Sequence, residues 1–359
     1  MRPALMVLTA AFSLCVALPA RAEDLLLDRF RDFLESLRAQ ANIPAVAAAI
    51  VGSNDILWEY GFGRQDIDRA IVTRTDTPFH LDGLTQMFTA SLVLRCVEEG
   101  RLSLDDRVGQ FKGVSAEPVK GSSAEPDATL RQILTHTSGT PENPVFAYRP
   151  ERLEPLRNAI RACTDDSFRE RLANLLAQLA MKDSVPGPDM IHPETLTEGI
   201  PDDLDVLRYR RVLARLATPY AVDQRRVSPT QYTATTLTPA SGLISTVRDL
   251  ARFHLALKDG VLMRADTLAL AWQAPVDRDG RRLPHGLGWF VQSYNGETVV
   301  WQFGVGENGS SSLWLTVPGR GLTLILLANS TGLVRPFNLA AGDLTVSPFA
   351  RLFLGLFVR

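Results

Sequence analysis

The chain has 359 residues, of which 45% are hydrophobic and 22% are charged, a composition typical of globular proteins and unlike that of disordered ones. Its formal net charge of −2 excludes the basic excess of a nucleic-acid-binding surface, so we expect no nucleic-acid partner. This length allows one large domain or two closely joined ones.

The first 22 residues have the features of a signal peptide. Arg2 supplies a positive charge, residues 3–18 form an apolar run, and Ala20-Arg21-Ala22 matches a small-x-small cleavage site. An uncleaved membrane anchor is the alternative, but the apolar run is short for a membrane span and is followed by Pro19. We therefore expect cleavage after Ala22, a periplasmic or secreted protein, and no membrane span after cleavage.

The predicted mature chain keeps two cysteines, Cys96 and Cys163. An exported protein can pair them, but two is also a common number of buried free thiols. Because the sequence does not give the Cα distance that a disulfide requires, unpaired thiols are the expectation and a disulfide is the alternative. The cysteines and the five histidines show no metal-ligand spacing, so we expect no metal and no cofactor.

A helix and a strand hairpin open the mature chain. Apolar residues recur on one face of Leu25–Gln40, which predicts an amphipathic helix. Ala45–Val51 is an apolar run of strand length, and Gly52–Asp55 is typical of a turn before a second strand, Ile56–Tyr60. The pattern favours an antiparallel sheet with the first helix packed across it.

The segment Phe79–Leu104 predicts a central helix. Asp82 is expected to cap its first turn, and Gly100 is expected to end it in the left-handed conformation. Between them, apolar or small residues recur with a period close to 3.6, namely Leu84, Met87, Phe88, Ser91, Leu92, Leu94 and Cys96.

The middle of the chain is predicted to be mostly helical, and the C-terminal part mostly strand. Helical periodicity covers residues 151–181, with a break near Thr164-Asp165, and residues 204–217 and 247–257. Four strands follow at 289–294, 298–303, 311–317 and 322–328, with an Asn295-Gly296 hairpin turn between the first two and a final helix at 348–357.

Strands at both chain ends with helices between them predict an α/β (α+β) fold. One antiparallel sheet is built from both chain ends and flanked by helices, and an all-α region is inserted. The predicted division is a signal peptide (1–22), a sheet domain (23–80 with 235–359) and a helical domain (81–234).

The central helix resembles that of the serine β-lactamases, the penicillin-binding proteins and their esterase and peptidase relatives. There the segment reads F-x-I-x-S-V-T-K-x-F-T-A, followed by EEGKLSLDD. The matching residues are Phe79, Leu81, Leu84, Thr85, Phe88, Thr89, Ala90, Glu98, Glu99, Gly100, Leu102, Leu104, Asp105 and Asp106. Six further segments follow the family's order: IPAVAAAIV, GFGRQDID, ILTHTSG, PASGLISTVRDLARF, GLGWFV and LTLILLANS. The resemblance covers most of the mature chain and implies a β-lactamase/transpeptidase-like fold.

The family's catalytic pair is missing from this register. The family uses a serine nucleophile and a lysine one helical turn later, and Gly83 and Gln86 occupy these positions. Glycine has no hydroxyl, and a neutral glutamine cannot act as a general base. None of the four lysines follows a serine by three residues, so no Ser-x-x-Lys motif lies elsewhere.

Two further family motifs are degenerate. The Tyr-x-Asn motif corresponds to Tyr148-Arg149-Pro150, which keeps the tyrosine and loses the asparagine. The Lys-Thr-Gly or His-x-Gly motif corresponds to Gln302-Phe303-Gly304, which keeps only the glycine. The resemblance therefore implies one retained active side chain, Tyr148.

The sequence predicts a family member without acyl-transfer activity whose cleft persists as a binding site. Its expected ligand-binding residues are Gly83, Gln86, Tyr148, Pro150, Gln302, Phe303 and Gly304. Gly83 is expected to leave room for a ligand group, and Gly83→Ser with Gln86→Lys is expected to leave the fold intact. By analogy with the family, the ligand is a peptide-like or carboxylate-bearing small molecule. A protein partner is unknown.

Two other readings remain open. An active hydrolase of the esterase, D-amino-peptidase or β-lactamase type would use another nucleophile, with Thr85, Ser310, Ser311 and Ser312 as candidates. A non-catalytic docking scaffold would have a cleft filled by side chains such as Phe303. His136 is read as a packed histidine.

Overall fold

A seven-stranded antiparallel sheet forms the centre of the structure. The computed structural model describes residues 19–111, 125–224 and 226–358, so residues 1–18 of the predicted signal peptide lie outside the described residues. The strands are β1 (Ala45–Val51), β2 (Ile56–Asp66), β3 (Ile71–Val72), β4 (Phe79–His80), β5 (Thr137–Thr140), β6 (Asn143–Phe146), β7 (Tyr220–Asp223), β8 (Arg226–Pro229), β9 (Ile244–Ser245), β10 (Phe290–Tyr294), β11 (Glu297–Val305), β12 (Ser311–Val317) and β13 (Leu322–Ala328). The large sheet has the order β10-β11-β12-β13-β1-β2-β3.

The two chain ends meet where β1 pairs with β13, in a register that sets Ala48 opposite Leu326. The helices are α1 (Pro19–Gln40), α2 (Thr85–Glu98), α3 (Leu130–Leu134), α4 (Leu156–Thr164), α5 (Phe168–Gln178), α6 (Asp203–Leu213), α7 (Val247–Lys258), α8 (Ala265–Ala271) and α9 (Pro348–Phe357). The predicted sheet built from both chain ends is therefore confirmed. The inserted region is not all-α, since it also contains the short hairpins β5–β6 and β7–β8.

Both faces of the sheet are covered, which explains the unbroken apolar sequence of β1. Alternate residues of β1 pack in two different cores, Ala47 and Ala49 with α2 and α7, and Val46 and Ile50 with α1 and α9. A strand with helices on both faces has no solvent-facing side that would require polar residues. In the part of the chain that the structure describes, no helix has the length and apolar character to cross a bilayer.

Helix α2 lies inside the protein, and its start differs from the prediction. Residues Thr85–Leu94 are all buried, so the helix has no exposed face. The predicted cap is wrong: Asp82 lies in a 3₁₀ turn, Asp82–Leu84, and makes no capping bond to α2. Gly100 has φ +70°, and its N–H donates to the Val97 carbonyl, as expected for a glycine that ends a helix.

Cys96 and Cys163 form a disulfide between α2 and α4, with their Cα atoms 6.1 Å apart. The expectation of unpaired thiols is therefore wrong. The bond joins residues that are 67 positions apart, and only the packing of α4 against α2 brings them together.

Replacing both cysteines by alanine should lower the free energy of unfolding by roughly 2–5 kcal/mol, because the disulfide restricts the unfolded chain over a long loop. Chemical denaturation with and without reductant measures this effect. Reductant should destabilise the natural protein and leave the Cys96→Ala/Cys163→Ala variant unchanged. Equal stability of the oxidised natural protein and the variant would contradict the prediction.

Candidate functional site

An open cleft of about 550 Å³ lies where the Asp82–Leu84 turn, the end of β11 and the loop after β6 meet. Four of the family-motif positions border it, namely Gly83, Tyr148, Pro150 and Phe303. The remaining lining residues are Asp82, Glu151, Glu154, Thr233, Ala234, Thr238, Ala240, Ser241, Val305, Gly306 and Glu307. A cleft of this size is in the usual range for small-molecule sites.

The backbone of β11 occupies the space where a side chain at position 83 would lie. A Cβ atom on Gly83 would come closer than 3.0 Å to the Phe303 carbonyl oxygen and would lie 3.2 Å from the Gly304 Cα. The φ of Gly83 is not in the left-handed region, so the glycine is needed for space and not for its conformation. The expectation that Gly83 leaves room for a ligand group is therefore wrong.

Gly304 on β11 is the other partner in this close approach to Gly83. A Cβ atom there would lie 2.7 Å from the Gly83 nitrogen and 2.5 Å from Ser312 Oγ. Ser312 Oγ also donates a hydrogen bond to the Leu81 carbonyl at 2.7 Å, which ties β12 to the same turn. Two glycines thus allow the turn and β11 to pack backbone against backbone.

Gln86 lies below the cleft, in a chain of hydrogen bonds that ends at Tyr148. The Arg149 N–H donates to His136 Nδ1 at 3.2 Å, so we assign the ring proton to Nε2, which donates to Gln86 Oε1 at 3.0 Å. Gln86 Nε2 then donates to the Tyr148 hydroxyl oxygen at 2.7 Å. Because this oxygen already accepts a bond, the Tyr148 O–H is left to donate, and Tyr148 is one of the residues that line the cleft.

Burial keeps the members of this chain neutral. It lowers the pKa of His136 well below its usual value, and the nearby His285 and Arg152 lower it further. Burial raises the pKa of Tyr148, and the hydrogen bond from Gln86 opposes this only in part. At neutral pH Tyr148 is therefore a phenol that donates a hydrogen bond, and it is a poor proton acceptor.

The side chain of Gln302 is directed away from the cleft. It is fully buried, its Nε2 donates to the Gly288 carbonyl at 3.2 Å, and its Oε1 accepts from the Phe303 N–H at 2.9 Å. Of the seven sequence-predicted ligand-binding residues, Gln86, Gln302 and Gly304 are thus outside the cleft lining.

The Asp82 side chain has partners that the sequence did not indicate. Its carboxylate accepts a hydrogen bond from Ser310 Oγ at 2.6 Å, and its Oδ1 lies 3.8 Å from His80 Nδ1. Burial raises the pKa of Asp82 and lowers that of His80. Asp82 has φ +47°, a left-handed conformation that Asp tolerates better than most residues. The match to a helix cap hid the bond to Ser310, because this residue lies 228 positions from Asp82 in the sequence.

The other candidate nucleophiles are fully buried hydroxyls bonded to the main chain. Thr85 Oγ1 accepts from the Leu243 N–H at 3.3 Å. Ser311 Oγ donates to the Ser330 carbonyl at 2.5 Å, and Ser312 Oγ donates to Leu81 as described above. Each hydroxyl therefore has a structural partner.

Replacing Gly83 by alanine should lower the free energy of unfolding by about 1–3 kcal/mol, because the added methyl group forces the turn and β11 apart. The same overlap applies to Gly83→Ser, so we now expect that substitution to displace β11. Gly355→Ala is the matched control, since a Cβ atom there meets nothing within 4 Å, and it should be neutral or stabilise by up to about 1 kcal/mol. Thermal and urea unfolding measure both variants, and equal stabilities would contradict the close approach.

Acidification should destabilise the protein through the buried His285, which packs against His136 with ring centroids 4.8 Å apart. Burial lowers the pKa of His285 to about 3, from a usual value of 6.5. Its neutral form is therefore favoured in the folded protein, and stability present above pH 6.5 is lost as the pH falls towards 3.

The loss from this one residue should reach about 2 kcal/mol between pH 7 and pH 5. His285→Phe should remove that part of the pH dependence of unfolding, while His192→Phe at an exposed position should not change it. Identical pH profiles for the natural protein and His285→Phe would refute the assignment.

The comparisons with known proteins agree with this fold. The Beta-lactamase family model matches residues 30–344. Penicillin-binding protein 4 of Amycolatopsis lactamdurans is 22% identical over 348 residues, which cover 84% of each chain. Protein flp of Staphylococcus aureus is 29% identical over 104 residues, which are 29% of this chain and only 20% of that protein. The octameric penicillin-binding protein homologue from Pyrococcus abyssi has a similar fold, with a TM-score of 0.68 and 21% identity over 85% of this chain and 74% of that one.

Since the family model spans most of the sequence and the sheet and helices have the same architecture, this chain belongs to the β-lactamase family.

Proposed function

We propose that this member of the β-lactamase family has lost acyl-transfer catalysis and uses its cleft to bind a small ligand. One observation carries the proposal: the Phe303 carbonyl takes the space that a side chain at the nucleophile position would need. The sequence has a glycine at this position, and the close approach of β11 supports the view that no side chain acts there. We further propose an exported location, which rests on the N-terminal sequence alone.

The size of the expected catalytic loss supports the proposal. Removing the nucleophile of a serine hydrolase costs on the order of a millionfold in turnover. The oxyanion hole and substrate binding alone leave roughly a thousand- to ten-thousandfold over water. Here Gln86 stands where the family motif has its lysine, and it donates a hydrogen bond to Tyr148, which burial keeps neutral. No ionised base remains at the family's catalytic positions to replace the missing lysine.

The open cleft favours ligand binding over the docking-scaffold reading. That reading expects side chains such as Phe303 to fill the cleft, but Phe303 forms part of a wall around about 550 Å³ of space. The Tyr148 O–H offers a fixed hydrogen-bond donor at the edge of this space. A preformed cavity with a few directed polar groups is the usual form of a small-molecule site.

A second candidate function is hydrolysis with Ser310 as the nucleophile. Ser310 Oγ donates to a carboxylate oxygen of Asp82, which could accept its proton. Against this reading, the Ser310 side chain is almost fully buried, and it does not line the cleft.

Incubation with a fluorophosphonate probe and with a fluorescent penicillin tests the proposal. We expect no covalent adduct by intact-protein mass spectrometry, because the hydroxyls in the described cleft lining, those of Thr233, Thr238 and Ser241, have no Lys or His among the lining residues to activate them. An active serine β-lactamase in the same reaction is the positive control. Stoichiometric labelling would overturn the proposal, and loss of that labelling in Ser310→Ala would establish the second candidate.

A further inference from the structure

The cleft is lined by acidic residues without cationic neighbours in its wall. Asp82, Glu151, Glu154 and Glu307 border it, whereas no Lys, Arg or His of the described ranges does. Acidic residues are common on protein surfaces, so their number alone identifies no ligand. The burial and the partners of two of them are more informative.

Asp82 is a buried carboxylate whose charge is not balanced by a cation. Only 4% of the residue is exposed, although it borders the cleft. Ser310 and the Gly306 N–H supply neutral donors, and His80 Nδ1 lies 3.8 Å from Asp82 Oδ1. Burial lowers the pKa of His80, so this imidazole is neutral near pH 7 and provides no compensating charge. Burial also raises the pKa of Asp82, and a cation that enters the cleft would favour the ionised form of this carboxylate.

Glu154 adds a second, partly buried carboxylate, with 16% of its side chain exposed. Its partner is Arg157, at 2.6 Å, and the Arg157 guanidinium borders a different cavity. Arg149 and Arg152, the other cations near this loop, pair with Glu125. Glu151 and Glu307 are exposed at the cleft and extend its negative potential towards solvent.

A carboxylate-bearing ligand therefore meets like charges and has no cation to bind it. The motif position at which the resemblance implies a cationic or imidazole side chain is Gln302, and its amide is bonded to Gly288 and Phe303. Like charges placed together in a partly desolvated site oppose binding, whereas opposite charges favour it. The expectation of a carboxylate-bearing ligand does not fit this wall.

We propose that the ligand of this cleft is a small molecule with a protonated amine, together with a carbonyl or hydroxyl oxygen that accepts the Tyr148 O–H. The acidic wall binds the amine, and Tyr148 orients the neutral end. This inference rests on the proposed function, because it assumes that the cleft binds and does not turn over its ligand.

Three probes with the same propionamide skeleton test the charge preference. β-Alaninamide carries a cationic amine, succinamate carries an anionic carboxylate, and propionamide is neutral. Binding is followed by NMR of methyl-labelled alanine and valine, since Ala240 and Val305 border the cleft and report occupancy there. At low ionic strength we expect β-alaninamide to shift these signals at the lowest concentration and succinamate at the highest.

Glu151→Gln combined with Glu307→Gln should weaken β-alaninamide binding by roughly fivefold and leave propionamide binding unchanged. Glu142→Gln, an exposed glutamate outside the cleft lining, is the matched control and should have no effect. Added salt should reduce the difference between the cation and the neutral probe.

The outcomes distinguish a failure of the amine proposal from a failure of the proposed ligand-binding function. Tighter binding of succinamate than of β-alaninamide would overturn the amine proposal and leave ligand binding in place. Equal weakening by Glu142→Gln would show non-specific attraction and would also overturn it. If none of the three probes shifts the Ala240 and Val305 signals, both the amine proposal and the retained binding cleft are refuted.

Discussion

The backbone contact between Gly83 and Gly304 is the constraint on which the rest of the site depends. It brings β11 against the turn at the start of α2, so the Phe303 carbonyl occupies the place of a side chain at position 83. Ser312 reinforces the contact through its bond to Leu81. Because close-packed main chains cannot give way as a flexible side chain can, this contact fixes the distance between the turn and β11 at the cleft.

Below the cleft, uncharged side chains form a chain of hydrogen bonds at the position where the family motif has a lysine. His136, Gln86 and Tyr148 satisfy one another, with distances of 3.0 and 2.7 Å between successive members. A lysine at position 86 would bring a charge into a fully buried position, whereas an amide can donate and accept without that desolvation cost. Gln86 therefore binds Tyr148 without bringing a charge into the protein interior.

The same changes alter what the cleft can bind. A site that catalyses acyl transfer must hold a nucleophile, a base and a binding group for its substrate in one geometry. Here the wall carries the hydroxyl of Tyr148 and four carboxyl groups, those of Asp82, Glu151, Glu154 and Glu307. Under the proposed function the catalytic geometry is no longer required, and the charge of the wall decides which ligands the cleft accepts.

The sequence by itself determined the elements that follow from local pattern. The bounds of β1, the end of α2 at Gly100 and the hairpin at Asn295-Gly296 were predictable, because periodicity and turn chemistry act over a few residues. The alignment with the family's motif also predicted that Gly83 and Gln86 stand where the family has its catalytic serine and lysine. Only the tertiary structure decided the Cys96–Cys163 disulfide, the partners of Asp82 and the closure at Gly83. These depend on distances between segments far apart in the chain, which packing fixes and local sequence does not encode.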